Sequence, residues 1–291
     1  MKYSIFLGCT IPARQPNYEI SVRKTCEALG IELAEADYGC CGFPVEAINQ
    51  DKALAMSAMN LMKAEESGLP MMTLCSACGE MLNNALYLLE NDGVQGDVNK
   101  VLAKLETSYN GEHPEVLHYA RMLYTEYGLE KLASKIKKPL KGIKVATHPG
   151  CHYVRPKKLF QEFDDPEFPV SLDKLVEATG AESVDYKGKT DCCGGGILAV
   201  AESTAKAMTA KKLNTLSELE LDALVLVCPF CAIMFDKYQR TLEEELEKQY
   251  GLPVIYYSQL LGLALGIPPD ELGFDVNTVN VEKLLEKVSK I

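Results

Sequence analysis

Short apolar runs alternate with longer helical patterns along this chain. Lys2–Leu7 ends just before Cys9, and Gly142–Thr147 is its counterpart ahead of Cys151. Pro70–Leu74 runs into Cys75, and Ala223–Val227 runs into Cys228. Each run is short and apolar, which predicts a buried strand. Between and after them, Gln50–Glu66, Gly79–Glu90, Ala199–Leu216 and Ala232–Tyr250 carry apolar residues at helical spacing. Strand–helix alternation predicts α/β units around mostly parallel sheets. Ligands of such sheets sit beyond the carboxyl ends of the strands, and each of these four strands delivers a cysteine there.

The segment Val94–Lys138 shows no strand-like run and reads as a helical connector. Its basic end, Lys135–Pro139, marks a boundary near residue 140. The expected domains are therefore 1–140 and 141–291, one unit used twice. The tail beyond Gly266 is Pro-rich and then helical over Val281–Val288. Cys26, in the amphipathic stretch Val22–Leu29, reads as a small core residue. Met56, Met59 and Met62, at helical spacing, read as core too.

With 291 residues, 47% hydrophobic and 24% charged, the chain can bury real cores without cross-links. A net charge of −11 argues against a nucleic-acid partner, since neutralising phosphates needs a basic surface. No signal peptide is visible at Met1–Cys9. No run approaches the roughly 18 apolar residues of a membrane span; the longest lies around Leu260–Ile267. The expected compartment is a reducing cytoplasm, where thiols stay free or bind metal.

Against that background the cysteines change the picture most. Ten of eleven fall into two copies of one pattern: Cys9, Cys40, Cys41, Cys75, Cys78, then Cys151, Cys192, Cys193, Cys228, Cys231. Each copy is a lone Cys, a Cys-Cys-Gly and a C-x-x-C, with 30 and 33 intervening residues in the first and 40 and 34 in the second. Disulfides conflict with the compartment, and adjacent cysteines cannot pair without severe strain. Zinc wants four ligands and leaves one thiol over in each copy, although a zinc site in one half stays open. A redox dithiol would use the two C-x-x-C motifs and ignore six cysteines. Iron–sulfur clusters are held by thiolates, usually four, so five per copy suggest either an ordinary cluster with a spare thiol or an unusual one with a bridging thiolate. The side chains of Cys40 and Cys41 point apart, so they reach two irons more easily than one. Gly42, Gly194, Gly195 and Gly196 let backbone N–H groups approach sulfur.

These motifs carry a resemblance. Cys9-Thr10-Ile11-Pro12, Gly39-Cys40-Cys41-Gly42, Leu74-Cys75-Ser76-Ala77-Cys78, His148-Pro149-Gly150-Cys151-His152, Asp191-Cys192-Cys193-Gly194-Gly195-Gly196 and Cys228-Pro229-Phe230-Cys231 resemble the CCG (cysteine-rich) domains in the B subunit of heterodisulfide reductase from methanogenic archaea. The resemblance runs along nearly the whole chain. The fold expected on this basis is α/β, with two similar Rossmann-like CCG halves related by pseudo-two-fold symmetry and joined by a helical connector. It implies a cytoplasmic oxidoreductase that reduces the coenzyme M–coenzyme B disulfide to two thiols. It further implies two non-cubane 4Fe-4S clusters, each held by one set of five cysteines, with one-electron delivery from each to a small-molecule disulfide lying between them. Implied partners are the reductase's ferredoxin-like C subunit, with 4Fe-4S clusters, and its A subunit, with flavin and iron–sulfur centres.

The candidate catalytic residues are Cys41 and Cys193 at the clusters, and His148 and His152, which flank Cys151, as proton donors. The substrate arms implied by the resemblance are anionic, which turns attention to Arg14, Arg155 and Lys206. Arg23, Lys24, Lys157 and Lys158 lie nearby in sequence. Two other functions compete. One is a CCG-domain electron-transfer subunit of a flavin-dependent oxidoreductase linked to lactate, glycerol-3-phosphate, fumarate or quinone. The other is a zinc-stabilised scaffold without chemistry.

Overall fold

The computed structural model describes residues 1–112, 114–160 and 163–291. Among them, eight strands build two four-stranded sheets whose neighbouring strands all run parallel. The first contains β1 (Lys2–Phe6), β2 (Glu32–Ala34), β3 (Met71–Thr73) and β4 (Val116–His118) in the order β2-β1-β3-β4. The second contains β5 (Lys144–His148), β6 (Glu182–Ser183), β7 (Ala223–Leu226) and β8 (Val254–Tyr256) in the order β6-β5-β7-β8. Central strands of parallel sheets are covered on both faces and so read as continuous apolar runs. All four residues of β7 are accordingly buried, as is β1 from Tyr3 onward.

The expectation of a strandless connector over 94–138 is corrected by β4. Val116, Leu117 and His118 pair with Met71, Met72 and Thr73 and are buried. Three residues ending in a histidine show no period-two pattern, and their partner strand lies far upstream. The same segment also carries the helices Asp92–Leu102, Tyr119–Met122 and Leu129–Lys135. The short outer strands β2, β6 and β8 carry too few residues to register as patterns.

The helix Gln50–Ser67 starts where the Asn49 side chain accepts the Lys52 N–H, an N-cap that satisfies an otherwise unpaired donor. Its buried face is Ala53, Leu54, Ser57, Ala58, Leu61 and Ala64. Met56, Met59 and Met62 are half-buried at its edge, and Met59 and Met62 pack against the core, so their reading as core holds in part. Small residues take the closely packed face and leave the longer side chains at its edge. Cys26 is fully buried. The long helix expected over 232–250 resolves into Pro229–Ala232, a π-helical turn Ile233–Lys237, and Tyr238–Leu246. The helix expected over 199–216 spans Glu202–Ser217.

The two sheets are tied together by buried contacts. The Pro16–Leu29 helix packs on the Tyr257–Ala264 helix. Tyr18 stacks on Tyr256 with centroids 3.9 Å apart, and Ser21 Oγ lies 2.7 Å from Ser258 Oγ. The carbonyl of Val227, one residue past β7, accepts from Tyr18 (3.3 Å), Ser76 (3.3 Å) and His118 Nε2 (3.1 Å). These bonds hold the carboxyl end of β7 against those of β3 and β4.

Candidate functional site

Every one of the four expected strands ends in a cysteine-bearing turn. Cys9 caps the Thr10–Arg14 helix after β1, Cys75 caps Ser76–Leu89 after β3, and Cys228 caps Pro229–Ala232 after β7. Cys151 opens the Cys151–Val154 helix after β5. Cys78 and Cys231 lie in the first helical turn beyond their strands, as the C-x-x-C spacing requires. The loops after β2 and β6 carry Cys40-Cys41 and Cys192-Cys193. All eleven cysteines are free thiols. Cys41, Cys75, Cys78, Cys193, Cys228 and Cys231 are buried, while Cys9 is exposed.

Each set of five converges. Cys9 and Cys40 Sγ atoms are 3.9 Å apart, and Cys193 and Cys231 Sγ atoms 3.4 Å. The glycine of each Cys-Cys-Gly is required by geometry. Gly42 has φ +98 and Gly194 φ +89, and a Cβ on either would meet the carbonyl oxygen of Ala53 at 2.6 Å or of Ala205 at 2.7 Å. That turn sends backbone N–H groups to sulfur: Gly42 to Cys40 at 3.5 Å, Gly194 to Cys192 at 3.4 Å, and Gly195 to Cys193 at 3.3 Å. The hydroxyls of Ser57 and Thr209 hold the carbonyls of Cys41 (2.7 Å) and Cys193 (2.8 Å) from equivalent helical positions.

The thiols act on one another. Hydrogen bonds from Cys40 and Cys78 pull Cys41 down to about 4. Those of Cys151 and Cys192 are pushed in opposite directions by their mutual bond, Cys192 down to about 2. Cys228 is likewise held well below the usual thiol range by its bonds with Cys231 and, across the halves, with Cys75, so Cys41, Cys192 and Cys228 are favoured as thiolates while the sulfurs beside them are pushed up. Ionising all five in a half needs concentrated positive charge among them. Five sulfurs strung together by pairwise contacts, two of them from adjacent residues and met by N–H donors, fit an iron–sulfur group with several irons better than a single four-coordinate zinc ion.

The histidines separate into two roles. His152 is partly exposed, and its Nδ1 lies 3.3 Å from Glu80 Oε2, a residue of the Ser76–Leu89 helix. Burial alone would lower its pKa, but the hydrogen bond and charge of Glu80 outweigh that and raise it. Phe43 meets the His152 ring edge-on at 5.2 Å. His148 is buried, and Lys212 Nζ reaches its Nδ1 at 3.0 Å. Burial and the Lys212 charge hold His148 well below the usual imidazole range. It is therefore neutral, a poor fit to the expectation of a donor titrating near neutrality. Its Nε2 is buried without a partner among the described residues, and a ring nitrogen lies within 4.8 Å of the Cys193 and Cys231 sulfurs.

The candidate cations do not gather. Lys206 Nζ is matched by Glu202 (3.1 Å) and Glu245 (2.7 Å), so its charge is already spent within the protein. Arg155 Nη2 donates to the Pro166 carbonyl at 2.8 Å. Arg14 is exposed at the end of the Thr10–Arg14 helix. Arg23 pairs with Glu19 and Glu35, and Lys24 with Glu271. Lys158 lies over the Tyr87 ring at 4.5 Å.

Sequence reasoning passes over Glu80 and Lys212, yet both leave a signal. Glu80 is a carboxylate in an otherwise apolar first stretch of helix, Ser76–Leu82. Lys212 falls on the buried stripe Ala205, Thr209, Lys212, Leu216, where a charge is out of place.

Two parallel sheets that each gather five free thiols at their carboxyl ends define a duplicated, thiol-rich α/β protein. The chain belongs to the CCG cysteine-rich domain family, which it matches at residues 3–83 and again at 145–236. Over its full length it is 38% identical to the B subunit of the ferredoxin/F420H2-dependent CoB–CoM heterodisulfide reductase of Methanosarcina acetivorans, covering 98% of that protein. It is 35% identical, over 97% of its length, to the 8-methylmenaquinol:fumarate reductase membrane anchor subunit of Wolinella succinogenes, covering 99% of that protein. The fold is that of a hypothetical protein from Helicobacter pylori of known crystal structure, with a TM-score of 0.78 at 16% identity. The alignment covers 96% of this chain and 52% of that one, so the present chain spans about half the length of that solved protein. Among the described residues no helix is long and apolar enough to cross a membrane.

Proposed function

We propose that this chain is the catalytic iron–sulfur subunit of a heterodisulfide reductase. It reduces the coenzyme M–coenzyme B disulfide to two thiols. One observation carries this reading. Each half gathers five free thiols at the carboxyl ends of one parallel sheet, in a chain similar along its whole length to the B subunits of heterodisulfide reductases. The first half (1–140) would hold one non-cubane 4Fe-4S cluster through Cys9, Cys40, Cys41, Cys75 and Cys78. The second (141–291) would hold another through Cys151, Cys192, Cys193, Cys228 and Cys231. The identical strand orders support reading the halves as Rossmann-like repeats related by a pseudo-two-fold axis. The partners on this reading are the ferredoxin-like C subunit and the flavin-bearing A subunit, and the compartment is the cytoplasm.

When bound, two such clusters would supply one electron each, which matches the two electrons that turn one disulfide into two thiols; the two protons come from the protein and solvent. The chain's own residues supply the rest. Cys151, Cys192, Cys193, Cys228 and Cys231 share a small cavity with Phe43, Ser76, Ala77 and Phe230, so residues of the first half wall the second half's thiols. The aromatic walls Phe43 and Phe230, 5.8 Å apart, limit water there. His152 borders the same cavity. Glu80 holds its Nδ1, which leaves Nε2 to hold and release a proton toward a departing thiolate. Arg14 and Arg155 remain the candidates for the substrate's anionic arms; Lys206 is not carried forward, because two carboxylates already neutralise it.

Chemical analysis of anaerobically purified protein tests the reading, with iron and acid-labile sulfide expected and zinc without sulfide overturning it. Paramagnetic resonance of oxidised protein mixed with coenzyme M thiol separates catalysis from simple electron relay. A thiol-induced signal is expected; its absence, with both clusters present, would favour the relay, to which the fumarate reductase relative lends some support.

A further inference from the structure

The two halves repeat each other closely enough to be compared residue by residue. β1 and β5 end on Phe6 and His148, each three residues before the lone cysteine. Ser57 and Thr209 hold the carbonyls of Cys41 and Cys193, and three residues further along each helix stand Asn60 and Lys212. Asn60 and Lys212 do the same mechanical work, fixing the loop that leads into Cys-Cys-Gly. Asn60 Nδ2 donates to the Cys40 carbonyl at 3.0 Å, and its Oδ1 accepts the Gly39 N–H at 2.8 Å. Lys212 Nζ donates to the Asp191 carbonyl at 2.7 Å and the Lys189 carbonyl at 2.9 Å.

Their charge differs. Lys212 Nζ has a third partner, His148 Nδ1 at 3.0 Å, so three acceptors meet the three N–H groups of an ammonium ion. Burial pulls the Lys212 pKa down only to about 8, which still leaves the ammonium as the main form at neutral pH. With Nδ1 accepting, the neutral ring carries its hydrogen on Nε2, which is buried with no partner among the described residues, on a ring that stands beside Cys193 and Cys231. That nitrogen has no lone pair to offer iron; it offers an N–H to sulfur. The first half has Phe6 in place of the imidazole and an uncharged amide in place of the ammonium. Neighbouring charges do not erase the contrast. The Asp191 carboxylate is half-exposed and faces Lys211 at 3.1 Å. On the C-x-x-C helices the first half carries Glu80 where the second has buried Ile233, a difference of the same sign.

We propose that Lys212 and His148 form a buried cationic backing behind the second set of cysteines that the first set lacks, making the second-half centre the more easily reduced of the two. Lys212 is a positioning residue that acts through charge and through the His148 tautomer. The inference rests on the reading that each half binds an iron–sulfur cluster. Positive charge and N–H···S bonds stabilise the added electron and raise a cluster's potential. The second centre would then collect the electron first and hold it beside His152.

The test is a redox titration of the holoprotein followed by paramagnetic resonance, with iron and sulfide measured on the same samples. Wild type should show two unequal midpoints. The variant Lys212→Asn with His148→Phe, which writes the first-half residues into the second half, should lower only the higher midpoint and bring the two together. Lys212→Arg keeps the charge and controls for folding; it should retain most of the separation. A change of about tenfold in the reduction equilibrium, ~59 mV for a one-electron couple, is the expected scale. In wild type labelled with 15N-histidine, pulsed resonance should detect Nε2 coupling, lost in His148→Phe. Two full clusters with midpoints indifferent to Lys212 and His148 would overturn this inference alone. Protein without labile sulfide would overturn it together with the proposed function.

Discussion

His152 Nδ1 and Glu80 Oε2 lie 3.3 Å apart although 72 residues separate them in the chain. The histidine follows the lone cysteine of the second half, and the carboxylate follows the C-x-x-C of the first. The pair therefore forms only when both halves are docked. It places a proton-holding group at the seam where the cavity opens.

Replacing Glu80 by Gln keeps the hydrogen bond and removes the charge that supports a protonated His152. Turnover of the disulfide should fall on the order of 10-fold, in kcat more than in KM, at unchanged iron content. His152→Gln removes the proton itself and should cost on the order of 100-fold. Steady-state kinetics on both variants checks this; equal rates would leave the pair a structural contact.

Cys41 and Cys193 each occupy the buried position of a Cys-Cys pair, in contact with sulfurs from another loop. Replacing either by Ala should abolish disulfide reduction while the protein still folds. Iron and labile sulfide should drop by roughly half in each, since only one set of five is broken. Metal analysis beside circular dichroism reads both halves of the prediction.

Gly42 and Gly194 combine a left-handed backbone with a carbonyl oxygen where a Cβ would stand. Alanine at either should destabilise the protein by about 1–3 kcal/mol and loosen its own cluster before the other. Thermal unfolding gives the first number, and the rate of sulfide loss in each half gives the second.

His118 is buried, accepts the Ala120 N–H at Nδ1 (3.2 Å) and donates from Nε2 to the Leu74 and Val227 carbonyls. Burial, with the Arg121 charge behind it, pushes its pKa down to about 4 from 6.5. The unfolded chain therefore binds the proton first. The stability of the neutral form is complete above pH ~6.5 and declines as pH falls toward ~4. Wild type should lose on the order of 1.5 kcal/mol between pH ~6.5 and ~5 through this group. His118→Gln should show a correspondingly shallower slope in denaturant unfolding.

Much of this protein is legible locally. The two sets of cysteines, their glycines and the four strands that end on them are written as short contiguous patterns, because a strand-to-helix turn and a Cys-Cys-Gly bend are built from neighbouring residues. The family resemblance rests on those same motifs. The α/β class follows from alternation alone. The outer strands escape because three residues carry no period, and β4 disappears into a connector for that reason. Lys206 reads as a binding cation in the sequence, and only the fold shows Glu245 beside it.

What the chain dictates by itself is the chemistry available, five thiols twice, and the strand ends that carry them. Tertiary structure decides which charges stand behind those thiols. Lys212 finds His148, and Glu80 finds His152, through packing between segments far apart in sequence. A buried charge is tolerated only where distant partners close around it, and no local pattern states who those partners are.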